Sequence, residues 1–196
     1  MTRLLSAAAL LLVSATALSA QAGARRAAPS TRAITEVSLT LTDTAAQRAA
    51  GKPAIIRVNY GQPHLRGRKV LTDSLVPMGQ VWRLGANAAT LFTTDAALTI
   101  GGRDVPAGRY VAQVLPEPSG WTLILQQETT GAADVAVSRY DKAKDFARIP
   151  LTASTLTQSV ESLSITLVPS TTPGAQKGAF TVMWGTVHLS AEWVVK

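Results

Sequence analysis

Four potential cations stand within six residues of one another in the middle of the chain. They are His64, Arg66, Arg68 and Lys69, and Gly67 separates the two arginines. Guanidinium groups present planar N–H donors that bind carboxylate, phosphate or sulfate, and a glycine lets the main chain approach a ligand closely. The cluster therefore predicts an anion site. The alternative is a solvated basic loop whose arginines pair with the protein's own acidic side chains.

A second polar motif, Trp-Arg-Leu-Gly-Ala-Asn, follows at residues 82–87. An indole face, a guanidinium and an amide close together form a combination that recognises a sugar or another small polar ligand. On this interpretation Trp82, Arg83 and Asn87 contact the ligand. The alternative is structural, with Trp82 in the core, Arg83 paired with an acid and Asn87 closing a turn beside Gly85.

Asp141 and Asp145 have a spacing that is compatible with catalysis, because residues four apart lie on one side of a helix. A hydrolase that uses paired carboxylates needs them about 5–10 Å apart across a cleft. With His64, the two aspartates form the candidate hydrolytic set. The alternative is a local ion pair between Asp145 and Arg148 or Lys142.

The composition excludes several other chemistries. The 196 residues include no cysteine and two histidines, His64 and His188. This excludes a disulfide scaffold, a cysteine-ligated metal site and a cysteine nucleophile. The sequence also lacks a Gly-x-Ser-x-Gly elbow, a His-Glu-x-x-His motif and a phosphate-binding glycine loop. We therefore predict no catalytic residue, no cofactor and no metal site from motifs.

The formal net charge is +7, from 19 basic and 12 acidic residues. Four arginines precede the predicted core, at positions 3, 25, 26 and 32, which leaves 15 basic against 12 acidic residues. A positive excess predicts a partner with negative charge. The expected partner is a small polar or anionic ligand or a glycan, and no nucleic acid is expected because of the compartment that the N-terminus predicts.

The N-terminus has the pattern of a secretory signal over residues 1–24. Arg3 precedes an apolar run over 4–18, and small residues follow at 20–24. The apolar run is shorter than the roughly 20 residues that span a bilayer, so no membrane span is expected in the mature protein. Residues 25–33, rich in Ala, Arg, Pro and Ser, predict a flexible leader. The expected location is secreted or periplasmic.

Residues 34–196 predict a single all-β domain, an antiparallel β-sandwich or a jelly-roll-like arrangement of about ten short strands. Alternation of apolar and polar residues carries this prediction, as in Leu163, Ile165 and Leu167. Glycines and prolines punctuate residues 61–89 too densely for a regular element, which predicts a long ordered loop of functional importance. The predicted strands are 34–41, 54–60, 90–94, 97–100, 110–115, 121–127, 148–152, 161–168, 180–184 and 187–195.

Several ordered motifs resemble the bacterial family known as domain of unknown function 2911. They are Tyr-Gly-Gln-Pro at 60–63, Arg-Gly-Arg-Lys at 66–69, residues 75–90 around the Trp-Arg-Leu-Gly-Ala-Asn motif, and Ile-Gly-Gly through Tyr at 100–110. The resemblance covers most of the mature chain. It implies a secreted, all-β protein and no established reaction, with Arg68, Lys69, Trp82, Arg83 and Asn87 as the matched polar set.

This chain departs from the family pattern at two positions. The family usually places an acid directly after the asparagine, where this chain has Ala88, and another after the late tryptophan, where Gly185 follows Trp184. Loss of acids that act in catalysis would weaken an enzymatic interpretation. Loss of acids that only neutralise arginines would free positive charge for an external anion.

These observations favour a non-catalytic module that binds a small polar or anionic ligand, or an envelope polysaccharide, through the loop at 61–89. One alternative is a hydrolase of envelope or extracellular substrates that uses His64 or the pair Asp141 and Asp145. The other is a structural or interaction protein without a small-molecule site.

Overall fold

A computed structural model of the chain describes residues 28–72, 74–131 and 140–196. Within these residues one short helix and nine strands alternate with turns. In chain order they are β1 (Thr31–Leu39), α1 (Thr44–Ala50), β2 (Ala54–Gln62), β3 (Thr90–Thr94), β4 (Leu98–Ile100), β5 (Arg103–Val105), β6 (Gly108–Glu117), β7 (Gly120–Gln127), β8 (Asp145–Pro169) and β9 (Lys177–Val195), with a 3-10 turn at Lys142–Lys144 before β8.

The strands form one open antiparallel sheet in the order β1-β2-β3-β6-β7-β8-β9-β4-β5. Strand β8 connects the two parts of this order, because its beginning pairs with β7 and the rest of it pairs with β9. Its first residues pair with β7, in a register that places Ile149 opposite Leu123, and the rest pairs with β9, where Leu167 lies opposite Phe180. Shifts of register at Thr155 and Val160 interrupt the second ladder. Such irregularities bend a strand, and here they allow the sheet to fold over on itself.

The fold brings the second half of β8 against β1 and β2. The edge of β8 that faces away from β9 would otherwise present unpaired N–H groups. Leu163 N–H donates to the Pro63 carbonyl at 3.0 Å, Ile165 N–H to the Tyr60 hydroxyl at 3.1 Å, and Leu167 N–H to Thr35 Oγ1 at 3.3 Å. One main-chain carbonyl and two side-chain hydroxyls therefore take the place of a regular main-chain ladder along this seam.

Alternating side chains from both ends of the sheet meet in one apolar core. Its largest fully buried members include Trp193, Phe180, Leu123 and Ile165. Trp184 is also buried in the core, whereas Trp121 packs against it from a half-buried position. Burial of this apolar surface is the main favourable contribution to folding.

The all-β, antiparallel class predicted from the sequence is confirmed. The finer expectation of a sandwich or jelly roll is not confirmed, because every strand in the described part belongs to one continuous hydrogen-bonded order. The expectation of about ten short strands also changes. The predicted strands 148–152 and 161–168 are both parts of β8, and 180–184 and 187–195 are joined in β9. Bulges allow these long strands to bend without ending.

Two predicted boundaries change at the start of the core. The predicted leader includes Thr31, Arg32 and Ala33, but these residues belong to β1 and pair with β2. Arg32 strengthens that pairing through a bond from its Nε to Asn59 Oδ1 at 2.9 Å. Residues 42–52, between the predicted strands 34–41 and 54–60, contain α1, which Asp43 caps at its N-terminus. The predicted signal peptide at 1–24 lies outside the described residues.

In the described ranges, no helix is long and apolar enough to cross a membrane.

The seam between Tyr60 and β8 gives a test of the fold. Tyr60→Phe removes the only side-chain acceptor that the structure shows for Ile165 N–H and leaves a buried donor unsatisfied, which costs about 1–3 kcal/mol in the free energy of unfolding. Tyr110→Phe is the matched control, because its hydroxyl donates to the carbonyl of exposed Pro106, which water can reach. Chemical denaturation of both variants measures the difference, and an equal loss in the two would contradict this role for Tyr60.

Candidate functional site

The segment between β2 and β3, residues 63–89, is fastened at both ends to the sheet, and we call it the central loop. At its start Leu65 N–H donates to the Glu161 carbonyl at 2.9 Å, and His64 forms an isolated bridge with Ser162. Further along, Trp82 exchanges both main-chain hydrogen bonds with Val114, at 2.8 and 2.9 Å. The loop therefore crosses from β8 to β6 in an ordered path, as the sequence predicted.

Arg68 holds the basic turn at the start of the central loop together. Arg66 and Gly67 have positive φ angles, 49° and 77°, which reverse the chain there. Arg68 then reaches back, with its Nε bonded to the Leu65 carbonyl at 2.9 Å and its Nη2 bonded to the His64 carbonyl at 2.8 Å. A guanidinium suits this task because it offers several N–H donors in one plane.

Arg66 joins the turn to two distant parts of the chain. Its main-chain N–H donates to Glu161 Oε1 at 2.7 Å, and its Nη2 donates to the Pro29 carbonyl at 2.9 Å. Asn87, at the other end of the loop, donates to the neighbouring Ser30 carbonyl at 3.2 Å. Both predicted site residues therefore converge on the short stretch before β1.

The guanidinium groups of the central-loop arginines bond to main-chain carbonyls, whereas the one carboxylate at the basic turn, Glu161, accepts from the Arg66 main-chain N–H. Arg83 Nη1 donates to the Asn87 carbonyl at 3.0 Å. Within the described ranges Arg66, Arg68, Lys69 and Arg83 form no ion pair with an acidic side chain, and all four are exposed. A carbonyl carries no formal charge, so the positive charge of these side chains is not neutralised. Among the described residues the predicted pairing of these arginines with the protein's own acids is not found, and their exposure agrees with the other form of that alternative, a solvated basic loop.

The Trp82 indole belongs to the packed interior of the loop. It stacks on Trp184 with ring centroids 5.6 Å apart and an angle of 12° between the planes. Trp184 is 2% exposed, and its Nε1 donates to the Glu161 carbonyl at 3.2 Å. Offset stacking of this kind adds about 0.5–1.5 kcal/mol to the burial of the rings. One face of Trp82 is thus occupied by a core residue.

The residues after Trp82 form a close contact between two main-chain segments. Leu84 is fully buried with a φ of 54°, and its carbonyl accepts a bond from Thr90 Oγ1 at 2.8 Å. Ala86 N–H donates to the Gly61 carbonyl at 3.0 Å. A Cβ on Gly61 would lie 1.8 Å from the Ala86 oxygen. The Trp-Arg-Leu-Gly-Ala-Asn motif, which the sequence indicated as a polar recognition site, therefore also holds the central loop against β2.

Each histidine has a serine as its hydrogen-bond partner. His64 Nδ1 lies 2.7 Å from Ser162 Oγ, and His188 Nδ1 lies 2.8 Å from Ser154 Oγ. His188 is half-buried. His64 lies at the second half of β8, whereas Asp145 lies at its first residue. The candidate hydrolytic set is therefore spread along the strand.

Asp145 is the centre of a local polar cluster. Its Oδ2 accepts bonds from the Tyr140 hydroxyl at 2.7 Å and Arg148 Nη1 at 2.8 Å, and its Oδ1 accepts from Gln126 Nε2 at 3.0 Å. Burial by itself raises the pKa of Asp145, but these three donors outweigh that effect and lower the pKa below its usual value. Burial and the bond to Asp145 raise the pKa of Tyr140. The predicted alternative, pairing with Arg148, is confirmed.

Asp141 performs a different task from Asp145. Its side chain accepts from the N–H of Ala143 at 3.0 Å and caps the 3-10 turn at Lys142–Lys144. The two carboxylates thus have separate local partners, and the paired-carboxylate hypothesis gains no support from them. Among the described residues, no group of three or more His, Asp or Glu side chains is placed to hold a metal ion.

Sequence reasoning missed the residues that complete the central loop. Ser162 and Glu161 meet the basic turn, and Pro29 and Ser30 meet Arg66 and Asn87. These partners are far apart in the chain, so no local spacing could reveal them. The contact between Gly61 and Ala86 had one signal in the sequence, because Gly61 belongs to the Tyr-Gly-Gln-Pro motif at 60–63.

Gly61→Ala tests whether the central loop is fastened as described. The new methyl group would overlap the Ala86 carbonyl, and since that oxygen belongs to the main chain the loop must shift, at a cost near the upper end of about 1–3 kcal/mol in the free energy of unfolding. Gly67→Ala is the control, because its Cβ would meet nothing within 4 Å and only its positive φ is strained, at about 1 kcal/mol. Equal losses in denaturant titrations would contradict the proposed contact.

The Asp145 cluster predicts a dependence of stability on acid. Because the folded-state pKa of Asp145 lies below its unfolded value of about 4, the carboxylate stabilises the fold above that pH. This contribution is lost as the pH falls through the lowered pKa. The free energy of unfolding should therefore decrease more steeply below about pH 4 in the wild type than in Asp145→Asn. Parallel pH profiles for the two proteins would contradict this assignment.

Comparison with known proteins places the chain by family. The model of a family described as protein of unknown function (DUF2911) matches residues 42–192, which cover the central loop and all strands except β1 and the end of β9. No functionally curated protein and no solved structure matches the chain. The match extends over more than half of the sequence, and the resemblance seen in its motifs is therefore confirmed: the chain belongs to the DUF2911 family.

Proposed function

We propose that this protein is a non-catalytic module that binds an anionic ligand, a small anion or an acidic envelope polysaccharide, at the exposed cations of its central loop. The observation that carries the proposal is the absence, in the described part of the chain, of acidic side chains paired with Arg66, Arg68, Lys69 and Arg83. A group of exposed cations without ion-pair partners attracts anions and raises their rate of association.

The hydrogen bonds of the arginines leave capacity for a ligand. A guanidinium has five N–H donors. The bonds described for Arg66 and Arg83 each use one side-chain nitrogen, and those of Arg68 use two. The same bonds fix the positions of the charged groups, so less side-chain entropy is lost when an anion binds.

The main chain of the basic turn is also open to a ligand. Gly67 is exposed, and a Cβ at this position would meet no atom within 4 Å. An oxyanion can therefore approach the turn without displacing a neighbouring group. The contacts of Arg66 with Pro29 and of Asn87 with Ser30 bring the two ends of the loop near the same short segment, so that Arg66 and Arg83 serve one surface.

In this proposal Trp82 is part of the support and not a sugar platform, because Trp184 covers one of its faces. His64 likewise positions the start of the loop through Ser162. The proposed place of action is the periplasm or the cell exterior, in keeping with the signal sequence predicted at the N-terminus. The hydrolytic alternative has weaker support, because Asp141 and Asp145 are engaged in a turn cap and a local ion pair.

The proposal is tested with dextran sulfate and inorganic sulfate as anionic probes and neutral dextran as the uncharged comparison. The double variant Lys69→Gln, Arg83→Gln should bind dextran sulfate about tenfold more weakly, because two exposed charge contacts contribute roughly 1–1.5 kcal/mol together. Isothermal titration calorimetry at low ionic strength measures the dissociation constants. Dextran should not bind, and added salt should weaken the wild-type interaction.

The control is Lys142→Gln, Lys144→Gln, which removes the same charge from the exposed turn before β8. It should bind the anionic probes as the wild type does. If both double variants lose affinity equally, only the net charge matters and the assignment of the site is wrong. Thermal unfolding of each variant establishes that the fold is retained.

A further inference from the structure

A second candidate site lies away from the central loop, at the end of the sheet where α1 begins. It is an open cleft of about 570 Å³ between β1, α1, the turn that joins β8 to β9, and the last residues of β9. This volume is within the range of about 300–1,000 Å³ typical of small-ligand pockets. None of the central-loop cations lines it.

The interior of the cleft is predominantly apolar. Val37 and Leu39 of β1 contribute one wall, and Trp193 and Val195 of β9 contribute another. Leu41, which also lines the cleft, leaves 55% of its surface exposed to water. An aliphatic group seated here would remove apolar surface from solvent at about 25 cal/mol per Å².

Trp193, in one wall of the cleft, is closely packed by its neighbours. Gly178 lies directly against its indole, since a Cβ at residue 178 would approach Trp193 Cζ2 to 2.3 Å. Trp193 itself is only 2% exposed and belongs to the main core. The cleft is thus built partly from core structure, which gives a ligand a preformed surface.

The opposite side of the cleft is formed by α1, which packs little against the core. Gln47 and Ala50 of α1 line it, and α1 buries none of its seven residues. Asp43 and Gly51 define the ends of the helix through their caps. A long-chain ligand can therefore enter beneath α1 without disrupting core contacts.

The charged side chains among the described lining residues of the cleft are all lysines. Lys52, Lys177 and Lys196 line it, and no aspartate or glutamate does. Lys177 pairs with Glu192 and Lys196 with Asp104, but all four side chains are about half or more exposed, so these pairs contribute little and can exchange. Lys52 has no ion pair in the described structure.

We propose that this cleft binds a single-chain amphipathic anion, with its aliphatic tail against Leu39 and Leu41, beside the buried Trp193, and its carboxylate or sulfate beside the lysines. The combination of an apolar interior and cationic lining selects this class over neutral lipids and over small hydrophilic anions. The site is independent of the anion surface proposed on the central loop.

Decanoate, below its micellar concentration, is the probe for this proposal. Isothermal titration calorimetry on the protein should detect saturable decanoate binding. Decyltrimethylammonium, with the same tail and the opposite charge, should bind at least about tenfold more weakly, and acetate should give no detectable binding. Equal binding of decanoate and decyltrimethylammonium would overturn the choice of ligand class, and no binding of either would overturn the site.

Variants locate the bound probe. Ala175→Trp places a large ring in the cleft from the β8–β9 turn and should abolish decanoate binding, whereas Ala143→Trp, on the exposed turn before β8, should not. Lys52→Gln should weaken decanoate but leave decyltrimethylammonium unchanged or stronger. Retention of decanoate binding by Ala175→Trp would overturn the proposal, and thermal unfolding verifies that the variant is folded. Sulfate binding at the central loop should remain unaffected in all three variants.

Discussion

The main-chain groups along one edge of β8 impose the constraint on which the rest of the structure depends. Beyond its register shifts this strand pairs with β9 on one side only, and its other side faces protein instead of water. A buried N–H without an acceptor costs about as much as a typical hydrogen bond contributes. Pro63, Tyr60 and Thr35 supply the three acceptors, and in doing so they bring β1, β2 and the start of the central loop against β8.

The close packing of the central loop against the sheet follows from these hydrogen bonds along the edge of β8. Once Leu65 is bonded to Glu161, the loop must cross the open end of the sheet to reach β3, and it does so through the main-chain exchange between Trp82 and Val114. The crossing is compact because Gly61 has no side chain where it meets Ala86. The indole pair of Trp82 and Trp184 fills the space beneath it.

The arginines near the start of β8 and those of the central loop form two different kinds of contact. Arg148 pairs with a carboxylate, so that its charge is locally balanced and the interaction consolidates the start of β8. Arg66, Arg68 and Arg83 bond to carbonyl oxygens, which orient them without removing their charge. The same side chains can therefore hold a loop in shape and remain attractive to an anion, as our proposed function requires.

The sequence determined the strand content and the family, because these features depend on local alternation and on ordered motifs. It also located the ordered loop and the Asp145–Arg148 pair. Only the tertiary structure decided that β8 and β9 are continuous, since a bulge preserves pairing where the pattern of alternation breaks. It alone decided which partners the cations take, because Pro29, Ser30 and Glu161 reach the central loop through folding and not through neighbouring positions in the chain.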